Sequence, residues 1–308
     1  MKRMYASTCA GVMAVAALLA GCTAATGTGP DPAHRAVEAE SAGRELSAAE
    51  ELLVQRAEQL LVKECMEEAG FSYWADVLPT PDDLRGGGYV LTDAAWAKRN
   101  GYGSPVRERL QRLQRDDPNH TYANALPENE RGRYSRALGG DSSSSMVTAA
   151  LPGGGTVGIP RDSCLSDAKG RLYGDFEAWY RADRTVTHLA RLYAAEVVED
   201  GRTATALGAW SACMREAGHD YVDPPSVRDD LPSRTEGLTG DQAFAVEAEL
   251  AVAEARCATR TPLAETLRAL TAEYRAPLMT EYGDDVAAHR RMGLAALARA
   301  EDITGTTV

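Results

Sequence analysis

The sequence predicts a mainly α protein, built as two related disulfide-stapled helical units with one small β-hairpin inserted before Cys164. Three observations predict it. Apolar residues recur at helical spacing through most of the chain, first at Leu52, Leu53, Ala57, Leu60, Leu61 and Cys65. The element Cys65-Met66-Glu67-Glu68-Ala69-Gly70-Phe71-Ser72-Tyr73 returns 148 residues later as Cys213-Met214-Arg215-Glu216-Ala217-Gly218-His219-Asp220-Tyr221, with six of nine positions identical. Each copy is followed by one further cysteine, Cys164 or Cys257. The echo continues loosely, since Pro79, Pro81 and Asp82-Asp83-Leu84 find counterparts in Pro224, Pro225 and Asp229-Asp230-Leu231. An internal duplication is the simplest account.

Residues 1–21 have the form of a lipoprotein signal peptide: Lys2 and Arg3, an apolar core from about Ala10, and the lipobox Leu19-Ala20-Gly21-Cys22. That core is shorter than the roughly 20 apolar residues a spanning helix needs. Cleavage before Cys22 would leave it as an acylated amino terminus, and two or more acyl chains hold a protein stably on a membrane. Residues 22–46 carry Thr, Gly, Pro and Ala, then mixed charge from His34, with no hydrophobic period. They are expected to be a flexible tether reaching about 25 Å.

The first helical unit is expected over residues 47–200. Ser47-Ala48-Ala49-Glu50 has the form of a capping box, and Gly70 is the natural stop of the helix it opens. Thr92 to Asn100, Ser104 to Arg115 and Pro127 to Leu138 read as helices, each with a Pro start or a Gly stop. After the polar break Asp141 to Ser145, Met146–Leu151 and Thr156–Pro160 flank Pro152-Gly153-Gly154-Gly155 and read as a hairpin. Gly153, Gly155 and Gly158 also spell GxGxxG, but Ile159-Pro160 stands where a phosphate-cradling helix should open, which excludes a nucleotide site. Helices follow through Leu165, Ala168 and Leu172, then through Phe176, Trp179, Tyr180 and Leu189 to Val197, the aromatics reading as core.

The second unit is expected over residues 201–303. Its Cys-Met helix precedes a helix capped by Thr239 and Gln242 that runs to Cys257, and Thr261-Pro262 opens another. Pro277 should kink or divide that helix, and a last helix is expected from about Asp284, carrying Val286, His289, Met292 and Leu297. Residues 304–308 are expected to fray.

Four cysteines besides Cys22 and Cys9 allow three connectivities. In an oxidising compartment they should pair, and the repeat favours Cys65 with Cys164 and Cys213 with Cys257. A metal or redox site would need CxxC spacing or neighbouring His ligands, which are missing. The net charge of −12, or −14 once Lys2 and Arg3 leave with the leader, argues against nucleic acid as a partner. No cofactor motif is present. His34, His120, His188, His219 and His289 form no ligand pattern and read as scattered surface histidines. Gly140-Asp141-Ser142 lacks the preceding strand that a nucleophile elbow requires.

The lipobox, the doubled Cys-Met-x-x-x-Gly-x-x-Tyr element, the hairpin before Cys164-Leu165 and the following Leu172-Tyr173-Gly174-Asp175 resemble a recurrent, functionally uncharacterised type of surface lipoprotein in high-GC Gram-positive bacteria. The resemblance covers most of residues 47–260 and brings no catalytic residues to carry over. It departs at His219, which stands where the first copy has Phe71 and suggests a more open second unit there. The expected function is that of a membrane-tethered extracytoplasmic lipoprotein, a non-catalytic binding or interaction module with the membrane, and an envelope protein or transporter, as partners. The alternative is a cell-envelope hydrolase whose paired carboxylates, drawn from Asp82, Asp83, Asp229, Asp230, Glu67 and Glu68, meet only in the fold.

Overall fold

A computed structural model describes residues 43–307, except residues 76, 77, 86, 87, 142 and 144. The expected signal peptide, the lipidation site Cys22, the tether up to residue 42, and Ser142 lie outside the described residues. Thirteen α-helices and one antiparallel hairpin make up the regular structure of the described residues. The helices are α1 (Ala48–Glu68), α2 (Ala94–Asn100), α3 (Ser104–Arg115), α4 (Pro118–Ala125), α5 (Glu128–Gly139), α6 (Cys164–Tyr173), α7 (Phe176–Leu189), α8 (Ala194–Glu199), α9 (Gly201–Glu216), α10 (Pro224–Thr235), α11 (Gly240–Arg260), α12 (Leu263–Arg275) and α13 (Met279–Thr304). The strands β1 (Met146–Ala150) and β2 (Thr156–Pro160) pair with Val147 opposite Ile159 and Ala149 opposite Val157.

Local chemistry sets the ends of the repeated helices. In α1 the Ser47 side chain caps the Glu50 amide while the Glu50 carboxylate accepts from the Ser47 amide at 2.7 Å. At the other end the Phe71 amide donates to the Met66 carbonyl at 2.9 Å and the Gly70 amide to Glu67 at 3.0 Å. This double closure needs a left-handed residue, and Gly70 has φ of +89°. The second copy repeats it: His219 donates to Met214 at 2.9 Å, Gly218 to Arg215 at 3.0 Å, and Gly218 has φ of +90°. Met66 and Met214 are both fully buried behind these stops. His219 is partly exposed beside Glu249, where its counterpart Phe71 is buried, so the second unit is slightly more open at this position.

Disulfides join Cys65 to Cys164 and Cys213 to Cys257, with Cα atoms 5.5 and 5.7 Å apart. The two partners differ in kind. Cys164 opens α6, whereas Cys257 lies in the last turn of α11. The likeness of the two units therefore extends to a helix, its stop and the tyrosine beyond it, but not to how the stapled helix arrives.

Packing divides the chain differently from the boundary expected at residue 200. Helix α13, although last in sequence, lies along α1, α6 and α7, where Ala296 and Ala300 complete a core with Leu53, Val54, Ala57, Leu61, Val62 and Met66. Small residues on α13 let its backbone approach α1 closely, so it prefers this partner to its sequence neighbours. Conversely, Leu91, Trp96, Ala97 and Val106 pack on Ala251 and Ala255 of α11. Two buried carboxylates stitch this contact. Glu247 accepts from the amides of Tyr102 and Ser104, and Glu254 from the Leu91 amide at 2.8 Å, the Tyr102 hydroxyl at 2.8 Å and Arg228. Around Glu254, Trp210, Met214, Tyr221, Leu250 and Leu263 form the second core. The hairpin closes over Trp179 and Tyr180 of α7 through Val147 and Ala149.

The tether expected to run to residue 46 ends earlier. Arg44 forms an ion pair with Glu50, Glu45 accepts from Arg290 at 2.8 Å, and Leu46 packs against the first core. Apolar contact and ion pairing fix these residues, a long-range effect that local composition does not announce. The last helix runs through Thr304, the first residue of the expected tail.

Candidate functional site

A cavity of about 470 Å³ lies where the chain enters the body, between α1, α7 and α13. Its volume falls within the range of roughly 300 to 1,000 Å³ usual for small-molecule sites. Helical spacing on three elements builds it. Glu51, Val54, Gln55 and Glu58 project from one face of α1, and Val286, His289, Arg290 and Gly293 from one face of α13, with Val186 supplied by α7 and Tyr173 by the end of α6. Arg44, Glu45 and Leu46 form the remaining wall.

The lining is apolar at Leu46, Val54, Val186 and Val286 and carries both signs of charge elsewhere. Glu45 is held below the usual carboxylate range by its hydrogen bond from Arg290. Burial pushes Glu51 upward, against a smaller opposing pull from His289. Burial also raises the Tyr173 hydroxyl, assisted by the neighbouring carboxylates. His289 Nε2 stands 3.7 Å from Asp183. For Asp183 burial works upward, but hydrogen bonding from His289 and Arg184 outweighs it and holds the carboxylate low. Glu58 is ion-paired with Lys169, whose ammonium lies 5.5 Å from the centre of the Trp179 ring. The arrangement provides a mixed-charge rim around an apolar floor, suited to holding a small amphipathic molecule.

The carboxylates proposed for hydrolysis are placed elsewhere. Asp82 is paired with Arg99 at 3.1 Å, and Asp83 closes the turn at Thr80 and is bound by Arg109. Asp230 accepts from Tyr221 at 2.8 Å and Arg234 at 3.0 Å, and Glu67 pairs with Lys63. None of the six lines the cavity. Among the described residues no group of three or more His, Cys, Asp or Glu is placed to hold a metal ion. No described helix is long and apolar enough to cross a membrane.

Reading His289 as a scattered surface histidine missed its place on this wall. The signal was available, because Val286, His289 and Gly293 follow one another at helical spacing. The partners on α1, α7 and the entering segment came from elsewhere in the sequence. Comparison with protein families, with curated proteins and with solved structures finds no match to this chain.

Proposed function

We propose that the chain is a lipid-anchored, extracytoplasmic binding module that holds a small amphipathic ligand between α1, α7 and α13 without transforming it. The cavity of about 470 Å³ carries this reading. The lipobox ending at Cys22 supports the anchor, and two disulfides within the chain suit an oxidising compartment. An envelope protein or transporter that receives the ligand is the expected partner. The hydrolase alternative is weaker, since none of its six named carboxylates lines the cavity and Asp82, Asp83, Asp230 and Glu67 are held in ion pairs elsewhere.

Two measurements test the reading. Mass spectrometry of protein extracted from its native membrane should find an acylated Cys22 as the amino terminus, and an unmodified Met1 would refute the anchor. Native mass spectrometry and thermal shift against amphipathic small molecules should find a ligand whose binding is lost in Val186→Trp, which pushes an indole into the cavity. A chain that binds none of them, or binds equally well as Val186→Trp, has no ligand site here.

A further inference from the structure

The acidic net charge conceals a basic region. Residues 98–136 carry nine Lys and Arg against five Asp and Glu, in a chain whose net charge is −12; Arg99, Arg109, Arg112 and Arg133 are ion-paired with Asp82, Asp83, Glu108 and Glu130, and the other five cations have no ion pair among the described residues. Within it Arg112 and Arg115 end α3, and Arg131, Arg133 and Arg136 lie along α5, all five exposed. Between these helices stands α4, and on α4 rests Trp74. The Trp74 backbone is gripped from both sides by the Asn119 side chain, which accepts from its amide at 2.9 Å and donates to its carbonyl at 2.9 Å. Its ring meets the edge of Tyr122 at 5.6 Å, Tyr122 meets Tyr134 at 5.9 Å, and Tyr134 meets Phe71 at 5.5 Å. Arg133 lies over Phe71 at 5.7 Å, which joins this aromatic row to the basic residues of α5.

The row runs from the core to the surface and ends in an exposed indole. Trp74 is 40 % exposed, whereas Trp96, Trp179 and Trp210 are 2, 7 and 0 % exposed. A fixed aromatic ring needs no ordering when it meets a partner. Trp and Arg side by side suit the boundary between anionic headgroups and acyl chains, where an indole rests at headgroup depth and guanidinium groups neutralise phosphate.

We propose that the α3–α5 face, with Trp74 at its centre, docks the body onto an anionic lipid leaflet. The inference rests on the reading that Cys22 is membrane-anchored, because 20 residues separate Cys22 from Gly43 and a chain of that length reaches at most about 70 Å from the bilayer. At such confinement a weak surface affinity suffices. The acidic remainder of the body then faces away from the leaflet.

Trp74 is its own reporter, since the other three tryptophans are buried. The full-length protein purified from its membrane is reconstituted into vesicles of phosphatidylcholine alone, or of phosphatidylcholine with an equal amount of phosphatidylglycerol, each containing brominated acyl chains. Flotation with either vesicle reads the anchor. Bromolipid quenching reads docking, and should lower the Trp74 emission about twofold in the anionic vesicles only, with the effect lost at high salt. Trp74→Phe should float but show no quenching, and Arg112→Gln with Arg115→Gln and Arg136→Gln should float with quenching reduced to the neutral-vesicle level. Flotation without anionic-specific quenching overturns the docking face and leaves the anchor standing. Failure to float overturns both. A response of Trp74 to soluble poly(glycerol phosphate) but not to anionic vesicles would assign the face to an anionic wall polymer and overturn the lipid assignment.

Discussion

Arg228 of α10 donates a 2.7 Å hydrogen bond to the fully buried Glu254 carboxylate of α11, and its guanidinium lies 5.1 Å from the centre of the Tyr102 ring. The same arginine donates to the Tyr89 carbonyl at 3.0 Å, so one ion pair ties the second core to a segment more than 100 residues earlier. Removing one member of a buried pair leaves the other uncompensated. Glu254→Leu should therefore lower the unfolding free energy by about 3 kcal/mol. Urea denaturation of Glu254→Leu, Arg228→Leu and the double variant checks it; additive losses would show that the pair is not coupled.

Glu254 also gives stability a pH dependence. Burial, the largest influence, holds its carboxyl above the ordinary carboxyl value of 4.5 despite Arg228, the Leu91 amide and the Tyr102 hydroxyl. From pH 4.5 upward to the raised folded value, the folded protein keeps a proton that the unfolded chain has released. Stability contributed by this group must fall as pH rises through that window. Urea midpoints of wild type and Glu254→Gln, followed upward from pH 4.5, should show the wild type losing ground relative to the variant. Parallel curves would exclude Glu254 as the source.

The helix stops at Gly70 and Gly218 predict a matched pair of defects. A Cβ at either position meets no atom within 4 Å, so the cost of alanine lies in the backbone conformation alone. Gly70→Ala and Gly218→Ala should each cost about 1 to 2 kcal/mol. They should differ from one another by less than either differs from wild type. Unequal losses in urea melts would show that the two stops bear different loads.

The two disulfides enclose loops of different length, with sequence separations of 99 and 44 residues. Chain entropy assigns about 4.7 kcal/mol to the longer and about 4.0 kcal/mol to the shorter, as upper figures. Replacing Cys65 and Cys164 by serine should thus destabilise slightly more than replacing Cys213 and Cys257. Thermal melts of the two double variants give the order, and a reversal would mean that packing around the staples outweighs loop closure.

Local chemistry made much of this architecture legible. The Ser47 and Thr239 caps, the Gly70 and Gly218 stops, the break near Pro277 and the turn at Pro152–Gly155 each act within a few residues, and the helices and hairpin they bound lie where the pattern predicts. Elements that depend on distant partners were missed. Helix α4 has only eight residues, with two asparagines and a threonine, and forms where Asp117 caps it and Asn119 binds Trp74. Helix α10 was hidden by Pro232 in its interior. The run expected from Phe176 to Val197 is interrupted at Ala190–Leu192 by a 3₁₀ turn. The cavity was illegible for the same reason, since Leu46, Val186 and Val286 become neighbours only through tertiary packing.

Helix α13 sits between α1 and α7 although it is made after every other described helix. Synthesis delivers Ala296 and Ala300 after every other buried residue of the core around Val62, leaving that core with an open seam until residue 300 is in place. Any machinery that handles the emerging chain must shelter the apolar side of α1 for more than 200 residues, and a truncation before residue 279 should leave the sulfur bridge at Cys65 clasping a half-built bundle.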